Sequence, residues 1–221
     1  MTTASTITGR VAEMHAGGAK EPPNEVMGAF GREQAALAAA GVPAGVTPAG
    51  TPLADANLLD VHGAPTSLHA AAGGGTAVLV FYRGAWCPYC NIALSVYQQE
   101  LLPALTEHGV RLIAISPQAP DGSLSMRDKH DLAFTVLSDP GNSVARSLGI
   151  LTRPSDEARA AQLELGLDLT AVNADGTIGL PMPTVAILDA GHVLRWIDVH
   201  PDYSTRTEPA QVLGALDQLG I

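Results

Sequence analysis

Cysteine and long apolar runs are both scarce in this 221-residue sequence. There are only two cysteines, three positions apart, whereas a disulfide-stapled secreted domain would use more of them at wider spacing. No apolar run approaches the ~20 residues that a membrane-spanning helix needs, so we expect no membrane association. Residues 1–6 lack the charged start and the apolar stretch of a secretory signal, which predicts a cytoplasmic protein.

Basic residues are scarce as well. The chain has 12 Lys and Arg residues against 22 Asp and Glu residues, which gives a formal net charge of −10. A surface of that sign repels phosphate backbones, so we expect no nucleic acid partner. Hydrophobic residues make up 46% of the chain and charged residues 15%, a composition typical of a globular protein rather than a disordered one.

The sequence predicts an N-terminal helical extension, residues 1–50, followed by a main domain, residues 51–221. In the extension, Asn24–Ala40 is rich in alanine and follows Pro22-Pro23, a signal for the start of a helix. Glycines and prolines then interrupt the chain. Two interpretations of this extension stay open: a helix packed on the edge of the domain, or an arm that forms a homodimer.

The first half of the main domain alternates strand and helix. An apolar run over 77–82 predicts a buried strand, the apolar spacing of 91–107 predicts a helix, and 110–115 predicts a second buried strand. Strand, helix and strand within about 40 residues imply a right-handed crossover between parallel strands.

The second half predicts shorter elements. Helices are expected at 125–132, 142–148 and 209–219, and strands at 135–137, 185–188 and 193–197. A turn joins the last two strands into an antiparallel hairpin. Residues 154–181 contain an amphipathic stretch and are interpreted as an insertion near the functional site. The whole pattern predicts an α/β fold with a central mixed sheet flanked by helices.

A cysteine motif lies where the buried strand ends and the helix begins. A helix N-terminus presents unpaired N–H groups and a positive partial charge, which stabilise a thiolate, the reactive form of cysteine. Pro88 suits the first helical turn, and Pro88 with Tyr89 spaces Cys87 and Cys90 so that both sulfurs lie on one turn. One thiol can then attack while the other resolves the intermediate. Trp86 is a candidate shield against bulk water.

Two other interpretations of the cysteines stay open. In the first, both side chains are only packing residues of the core, which a position at the start of a helix does not favour. Alternatively, they form half of a zinc site, which would need two more ligands. Histidines such as His62, His69 and His108 show no paired spacing, so we predict no metal.

Three segments resemble a known family. Residues 81–90 (FYRGAWCPYC), 114–118 (AISPQ) and 137–139 (LSD) are similar to the peroxiredoxin-like branch of the alkyl hydroperoxide reductase and thiol-specific antioxidant (AhpC/TSA) family, and the resemblance extends over roughly 53–219. It implies a thioredoxin-like fold and a thiol redox enzyme that uses no cofactor. Members of this family typically carry a proline, a threonine four residues later and the peroxidatic cysteine three residues after that.

The chain departs from that family pattern. Aligning the peroxidatic cysteine with Cys90 puts Cys87 at the threonine position and Arg83 at the proline position. The family's later arginine, which helps to bind the peroxide, would fall near Met182, where the chain has none. Arg83 is the main candidate for the missing positive charge. The weaker candidates are Arg153, Arg195 and Arg206.

A proline precedes the strand at 185–188. In the thioredoxin fold such a proline is cis, faces the cysteine pair and leaves backbone groups free to bind a substrate. We therefore predict a cis peptide bond before Pro183, with an ordinary proline at the entry of a strand as the alternative, and we include Pro183 and Thr184 among the substrate-binding or supporting residues.

The first functional hypothesis is a thiol-dependent peroxidase. A hydroperoxide oxidises one thiol, the pair condenses to a Cys87–Cys90 disulfide, and thioredoxin or another small dithiol donor reduces it again. The second hypothesis is a thioredoxin- or glutaredoxin-like oxidoreductase that acts on disulfide substrates, and the third is a non-enzymatic redox sensor or binding module. In a thioredoxin mechanism Cys87 is the attacking thiol, whereas in a peroxiredoxin mechanism Cys90 is oxidised first. Which cysteine reacts first therefore stays open.

Overall fold

The computed structural model describes residues 6–17 and 24–221. Within these ranges the chain forms a seven-stranded mixed sheet and a separate two-stranded sheet. The strands are β1 (Asn57–Leu59), β2 (Pro65–Ser67), β3 (Ala77–Phe81), β4 (Arg111–Ser116), β5 (Thr135–Ser138), β6 (Leu151–Thr152), β7 (Leu180–Pro181), β8 (Thr184–Leu188) and β9 (Leu194–Val199). The large sheet has the order β2-β1-β5-β4-β3-β8-β9, and β6 pairs with β7.

Helices cover both faces of the large sheet. In chain order they are α1 (Ile7–Ala16), α2 (Asn24–Ala40), α3 (Leu68–Ala72), α4 (Pro88–Val96), α5 (Leu102–Glu107), α6 (Pro120–Lys129), α7 (Ser143–Ser147), α8 (Asp156–Glu164), α9 (Leu169–Val172) and α10 (Pro209–Leu219). The predicted α/β class with a central mixed sheet flanked by helices is therefore confirmed. None of the described helices is long and apolar enough to cross a membrane.

The crossover predicted around the cysteine motif is present. β3 and β4 pair in parallel, with Val78 opposite Leu112, and α4 and α5 connect them. The hairpin of β8 and β9 is antiparallel, as predicted, and β8 lies on the other side of β3. β3 is thus an interior strand of the sheet, and all five of its side chains are buried. The chain leaves this strand directly into the cysteine motif.

Alternate residues of β3 and its extension pack into two separate core layers, because successive side chains of a strand point to opposite faces. Val78, Val80 and Tyr82 belong to the layer that contains α4, α5, α10 and both cysteines. Leu79 and Phe81 belong to the other layer, with α3 and α7. Each fully buried aliphatic side chain contributes roughly 1.5–3 kcal/mol, so the site rests on a rigid base.

The helix predicted over 91–107 contains one π-helical turn, Tyr97–Leu101, between α4 and α5. Pro103 lies just after this turn and has no N–H to donate to the carbonyl of Gln99, so a regular α-helix cannot continue through it. The Tyr97 hydroxyl donates to the carbonyl oxygen of Thr207 at 2.6 Å. The π turn therefore ties this helix to the segment that precedes α10.

Two helices lie in the N-terminal extension. α2 has the predicted bounds, whereas its predicted start signal, Pro22-Pro23, lies outside the described residues. α1 was not predicted; its first N–H groups donate to the Glu208 carboxylate, from Ile7 at 2.9 Å and from Thr8 at 2.8 Å. α1 packs on α4, and α2 packs on α8. These contacts favour edge-packed helices, while a dimer-forming arm and the division at residue 50 stay predictions.

Some predicted boundaries were wrong. The helix expected at 125–132 is α6, which begins five residues earlier because Pro120 suits its first turn. The strands β1 and β2 and the short helix α3 were not predicted. The segment expected to be an insertion, 154–181, contains α8, α9 and β7. Its interpretation as an insertion stays a prediction.

Candidate active site

The two cysteines occupy the start of α4, as predicted. Cys87 is the N-cap residue with an extended backbone, and Pro88 is the first helical residue. The backbone N–H groups of Cys90 and Asn91 both donate to the Cys87 carbonyl oxygen at 3.1 Å. Both thiols are free, and both residues are buried, with 1% of Cys87 and none of Cys90 exposed. The positive end of the helix thus lies at two enclosed sulfurs.

The Cys90 sulfur is the better hydrogen-bonded of the pair. The Nη2 atom of Arg206 lies 3.2 Å from it, and the backbone N–H of Arg83 donates to it at 3.5 Å. The Cys87 thiol is a further hydrogen-bond partner of Cys90. The Arg206 Nη2 atom is farther from the Cys87 sulfur, at 4.0 Å. Positive charge and N–H donors therefore converge on Cys90.

These contacts drive the pKa values of the two thiols in opposite directions. Burial raises the pKa of Cys90, but the Cys87 hydrogen bond, the Arg206 charge and the Arg83 N–H outweigh it and hold that pKa well below its ordinary value. Burial, the hydrogen bond to Cys90 and the negative charge there raise the pKa of Cys87 well above its ordinary value. Cys90 is accordingly the more acidic thiol of the pair, and Cys87 is the thiol that donates to it.

Arg206 reaches the sulfur from the loop between β9 and α10. Its Nη1 atom donates to the carbonyl oxygens of Tyr203 and Thr205, which fixes the guanidinium plane. The same loop is held by the π-turn tyrosine and by the Thr207 hydroxyl, which donates to the Asp198 carboxylate at 2.9 Å. Hence backbone and side-chain bonds on both sides of Arg206 determine where its charge lies.

The guanidinium that contacts Cys90 belongs to Arg206 and not to Arg83, the main candidate from the sequence. Arg83, the main candidate, presents its backbone N–H to Cys90, while its guanidinium carbon lies 3.9 Å from the Tyr203 ring centroid and 5.1 Å from that of Trp86. Arg206, a weaker candidate, has the guanidinium that contacts the sulfur. Both charges lower the pKa of Cys90. Of the other two candidates, Arg153 lines a surface pocket, and Arg195 pairs with Asp189 at 3.1 Å in the β8–β9 hairpin.

Trp86 and Tyr89 border the cysteine turn. Trp86 is half-buried against the core layer that contains the cysteines, and its indole N–H is buried with no hydrogen-bond partner among the described residues. The Tyr89 hydroxyl lies 3.4 Å from Nε2 of His15 in α1, and its ring lies 6.5 Å from that of Tyr203. The shielding role of Trp86 stays a prediction.

The predicted cis-proline is wrong. No described peptide bond is cis, so the bond before Pro183 is trans. The chain bends at Pro183 between β7 and β8, and its backbone groups are already paired: Met182 donates to the Ile150 carbonyl at 2.8 Å, and His200 donates to the Pro183 carbonyl at 2.9 Å. The Met182 N–H is therefore not free for a substrate, and one lone pair of the Pro183 carbonyl is already used. The Thr184 hydroxyl donates to the Met182 carbonyl at 2.9 Å.

A small pocket reaches Cys90. Beside Cys90, the pocket is lined by residues at the end of β3, at the start of β8 and in the loop that carries Arg206. These residues are Tyr82, Pro183, Thr184, Arg206 and Thr207. The pocket has room for about one water-sized molecule. Pro183 and Thr184 thus line the same pocket as Cys90, without a cis peptide bond, and their role as substrate-binding or supporting residues stays a prediction.

Sequence reasoning missed the residues that hold the turn before Cys87. The Ala85 N–H donates to Oε1 of Gln118 at 2.6 Å, and the Asn91 side chain donates to the Ala85 carbonyl at 3.1 Å. Gly84 has φ +151°, and a Cβ there would lie 2.4 Å from Nε1 of Trp86. Gln118 belongs to the AISPQ segment that carries part of the family resemblance, which was the only signal for it.

The contacts of the cysteines argue against both alternatives, a purely packing role in the core and half of a zinc site. A cysteine that only packs in the core needs no charged partner, whereas Cys90 has an arginine at 3.2 Å. Among the described residues, no group of three or more His, Cys, Asp or Glu side chains could hold a metal ion. The geometry is that of a polarised dithiol at a helix N-terminus.

Comparison with known proteins agrees with this site. The profile of the AhpC/TSA family matches residues 49–197, which include the cysteine motif. The chain belongs to the AhpC/TSA family. A putative peroxiredoxin bcp from Coxiella burnetii is 27% identical over 122 residues, which cover 54% of this chain and 77% of that relative. Membership of the family supports a thiol-dependent peroxidase, an enzyme of the oxidoreductase class.

Solved structures share the fold at low sequence identity. Peroxidoxin BcpB from Mycobacterium tuberculosis superposes with a TM-score of 0.57 at 19% identity, covering 78% of this chain and 96% of that one. A peroxiredoxin-like protein from Aquifex aeolicus gives 0.61 at 14% identity, covering 79% and 90%. AhpC from Enterococcus faecalis gives 0.58 at 13% identity, covering 78% and 92%. The predicted thioredoxin-like fold is therefore confirmed.

Proposed function

We propose that this protein is a thiol peroxidase in which Cys90 attacks the hydroperoxide and Cys87 resolves the product. The observation that carries the proposal is the 3.2 Å contact between Arg206 and Cys90, combined with the opposite pKa shifts of the two thiols. Because the thiolate is the nucleophile, the sulfur with the lowered pKa reacts first.

The first step takes place at the Cys90 sulfur. The thiolate attacks one oxygen of ROOH, the S–O bond forms as the O–O bond breaks, and RO⁻ leaves and takes up a proton to become ROH. The product is the sulfenic acid of Cys90. The Arg206 guanidinium, which already faces the sulfur, stabilises the negative charge that moves from sulfur to the departing oxygen.

The second step closes the disulfide. Cys87 lies on the same helical turn and attacks the sulfenic sulfur, so the S–S bond forms, the S–O bond breaks and water leaves. An external dithiol then reduces the disulfide by two exchange steps and is itself oxidised. We propose thioredoxin or another small dithiol as this donor, and we place the reaction in the cytoplasm.

Two observations argue against the thioredoxin-like alternative. That mechanism makes Cys87 the attacking thiol, whereas its pKa is raised and that of Cys90 is lowered. It also uses free backbone groups beside the proline to bind the substrate, whereas the Met182 N–H donates to Ile150 and the Pro183 carbonyl already accepts a hydrogen bond from His200. The redox-sensor hypothesis gains no support from the described contacts.

The proposal is tested by mixing reduced protein with one equivalent of hydrogen peroxide and following oxidation by stopped-flow fluorescence. A thiol peroxidase reacts orders of magnitude faster than free cysteine at the same pH. Regeneration by a thioredoxin system, measured as NADPH consumption, tests the donor separately. Oxidation no faster than that of free cysteine would reject the peroxidase.

A further inference from the structure

Both sulfurs are enclosed, yet a peroxidase must admit its oxidant. A second pocket shares Pro183 with the pocket beside Cys90, and it is lined by Arg83, Pro183 and Tyr203 together with Glu33 and Leu37 of α2. Three chain segments contribute to both pockets. The pocket beside Cys90 takes Tyr82, Thr184 and Arg206 from them, and the second pocket takes Arg83 and Tyr203, with Pro183 lining both. The two pockets thus meet at Pro183.

The Arg83 guanidinium and the Tyr203 ring are stacked on each other in the wall of the second pocket. The guanidinium carbon lies 3.9 Å from the ring centroid, and each residue is only 6% exposed. A cation over an aromatic face contributes about 0.5–2 kcal/mol, with the larger values where water is excluded. The two side chains are therefore in contact in the structure, but separating them costs little free energy.

Helix α2 holds the Tyr203 ring in place from outside. The Tyr203 hydroxyl donates to the Phe30 carbonyl at 3.4 Å. The Glu33 carboxylate accepts from the Ser155 backbone N–H at 2.7 Å and is also a hydrogen-bond partner of the Tyr203 hydroxyl. The N-terminal extension thereby limits how far the ring can move. A wider opening requires α2 to shift away from α8, on which it packs.

We propose that the second pocket is the approach to Cys90 and that the Arg83–Tyr203 stack in its wall is a size filter, with Tyr203 as a specificity-determining residue that admits hydrogen peroxide and excludes hydroperoxides with bulky substituents. This proposal rests on the proposed function. The pocket beside Cys90 holds about one water-sized molecule, and hydrogen peroxide is larger than water by a single oxygen atom. An aryl or long-chain hydroperoxide cannot place its O–O bond at the sulfur unless the ring moves.

The test compares two oxidants on the reduced protein. Stopped-flow rate constants for hydrogen peroxide and for cumene hydroperoxide are measured on the wild type, on Tyr203→Met and on Tyr203→Phe. Met fills much of the same volume with a flexible apolar chain but has no ring, and Phe keeps the ring. We expect the wild type to prefer hydrogen peroxide, Tyr203→Met to raise the cumene-to-hydrogen-peroxide ratio about tenfold or more, and Tyr203→Phe to keep the wild-type ratio.

A second readout needs no peroxidase activity. Alkylation of the reduced thiols by iodoacetamide and by a bulky pyrene maleimide is timed by mass spectrometry. Tyr203→Met is expected to accelerate the maleimide selectively. Glu33→Ala is expected to do the same, because it keeps the ring but removes the hydrogen bond between Glu33 and the Tyr203 hydroxyl, and it serves if Tyr203→Met does not fold. Leu163→Ala, an exposed position on α8, is the control.

The outcomes separate the two proposals. If neither hydroperoxide outpaces its reaction with free cysteine, the proposed function fails, and the maleimide-to-iodoacetamide ratio still decides the filter. If the wild type accepts cumene hydroperoxide as fast as hydrogen peroxide, or if both size ratios are unchanged in folded Tyr203→Met, the filter is rejected.

Discussion

The Nη2 atom of Arg206 lies 3.2 Å from the sulfur of Cys90, although 116 residues separate the two in the chain. The arginine comes from the loop before α10 and the cysteine from the first turn of α4, so the folded sheet and the π turn bring them together. This contact supplies the positive charge that the sequence lacks near Met182. It also distinguishes Cys90 from Cys87, because the arginine lies nearer to Cys90 and its charge lowers the pKa of that thiol.

Removing the Arg206 charge should raise the pKa of Cys90. In Arg206→Met the burial of the thiol is no longer opposed by the guanidinium, so we expect the pKa to rise toward or above its ordinary value and peroxide oxidation to slow by roughly 10- to 100-fold. Arg206→Lys keeps the charge and should lose less. Ultraviolet absorbance of the thiolate, titrated on a Cys87→Ser background, measures the shift. An unchanged titration in Arg206→Met would show that the arginine does not lower the pKa of Cys90.

The rate of peroxide oxidation should depend weakly on pH. The Cys87 hydrogen bond, the Arg206 charge and the Arg83 N–H hold the pKa of Cys90 well below its ordinary value, so its thiolate persists to lower pH than that of a free thiol and is lost as the pH falls through the lowered pKa. Between about pH 7 and 8.5 we expect a nearly constant rate, whereas an ordinary thiol gains roughly tenfold per pH unit below its pKa. Stopped-flow measurement of the oxidation rate across this pH range checks the prediction. A rate that rises with pH as it does for free cysteine would contradict the lowered pKa.

Gly84 should not tolerate a side chain. Its φ of +151° is rarely adopted by other residues, and a Cβ would lie 2.4 Å from Nε1 of Trp86 and 2.8 Å from Oε1 of Gln118. We expect Gly84→Ala to lower the free energy of unfolding by about 1–3 kcal/mol and to slow peroxide oxidation by displacing the cysteine turn. Urea denaturation measures the first effect. Gly214→Ala in α10, where a Cβ meets nothing within 4 Å, is the control and should be neutral or stabilising.

The Tyr97 hydroxyl should matter for both stability and thiolate formation. Tyr97→Phe removes the 2.6 Å hydrogen bond to the Thr207 carbonyl, a buried contact whose loss costs about 1 kcal/mol. Because Thr207 follows Arg206, we also expect a pKa rise at Cys90 smaller than that in Arg206→Met. Thr106→Val, which removes an exposed hydroxyl of α5, is the control for the unfolding measurement. A Cys90 titration identical to wild type would limit Tyr97 to a packing role.

Local patterns in the sequence were sufficient to predict the elements around the cysteines. The apolar run of β3, the helical spacing after it and Pro88 at the first turn each act within a few residues, and the structure has them where expected. The bounds of α2 and α10 also follow from local start and stop signals. These features need no knowledge of distant contacts.

Most of what the sequence did not predict depends on distant contacts. Arg206 was only a weaker candidate because it lies in a loop without periodicity, and nothing near it in the chain points to Cys90. α1 has a local start signal that the sequence analysis missed, the Thr6 side chain that accepts from the Gly9 N–H at 3.0 Å, and it is also capped by Glu208. The cis-proline prediction rested on a local pattern, whereas the backbone around Pro183 pairs with Ile150 and His200. Unlike the Thr6 cap, these long-range partners leave no local pattern in the sequence.

Mass spectrometry of the two single-cysteine variants tests the order of attack most directly. Reduced Cys87→Ser and Cys90→Ser are each given one equivalent of hydrogen peroxide with dimedone, which traps sulfenic acid. We expect rapid accumulation of the trapped product on Cys90 in Cys87→Ser, and slow oxidation of Cys90→Ser at the rate of an ordinary thiol. Rapid trapping on Cys87, with Cys90 unreactive, would contradict the account.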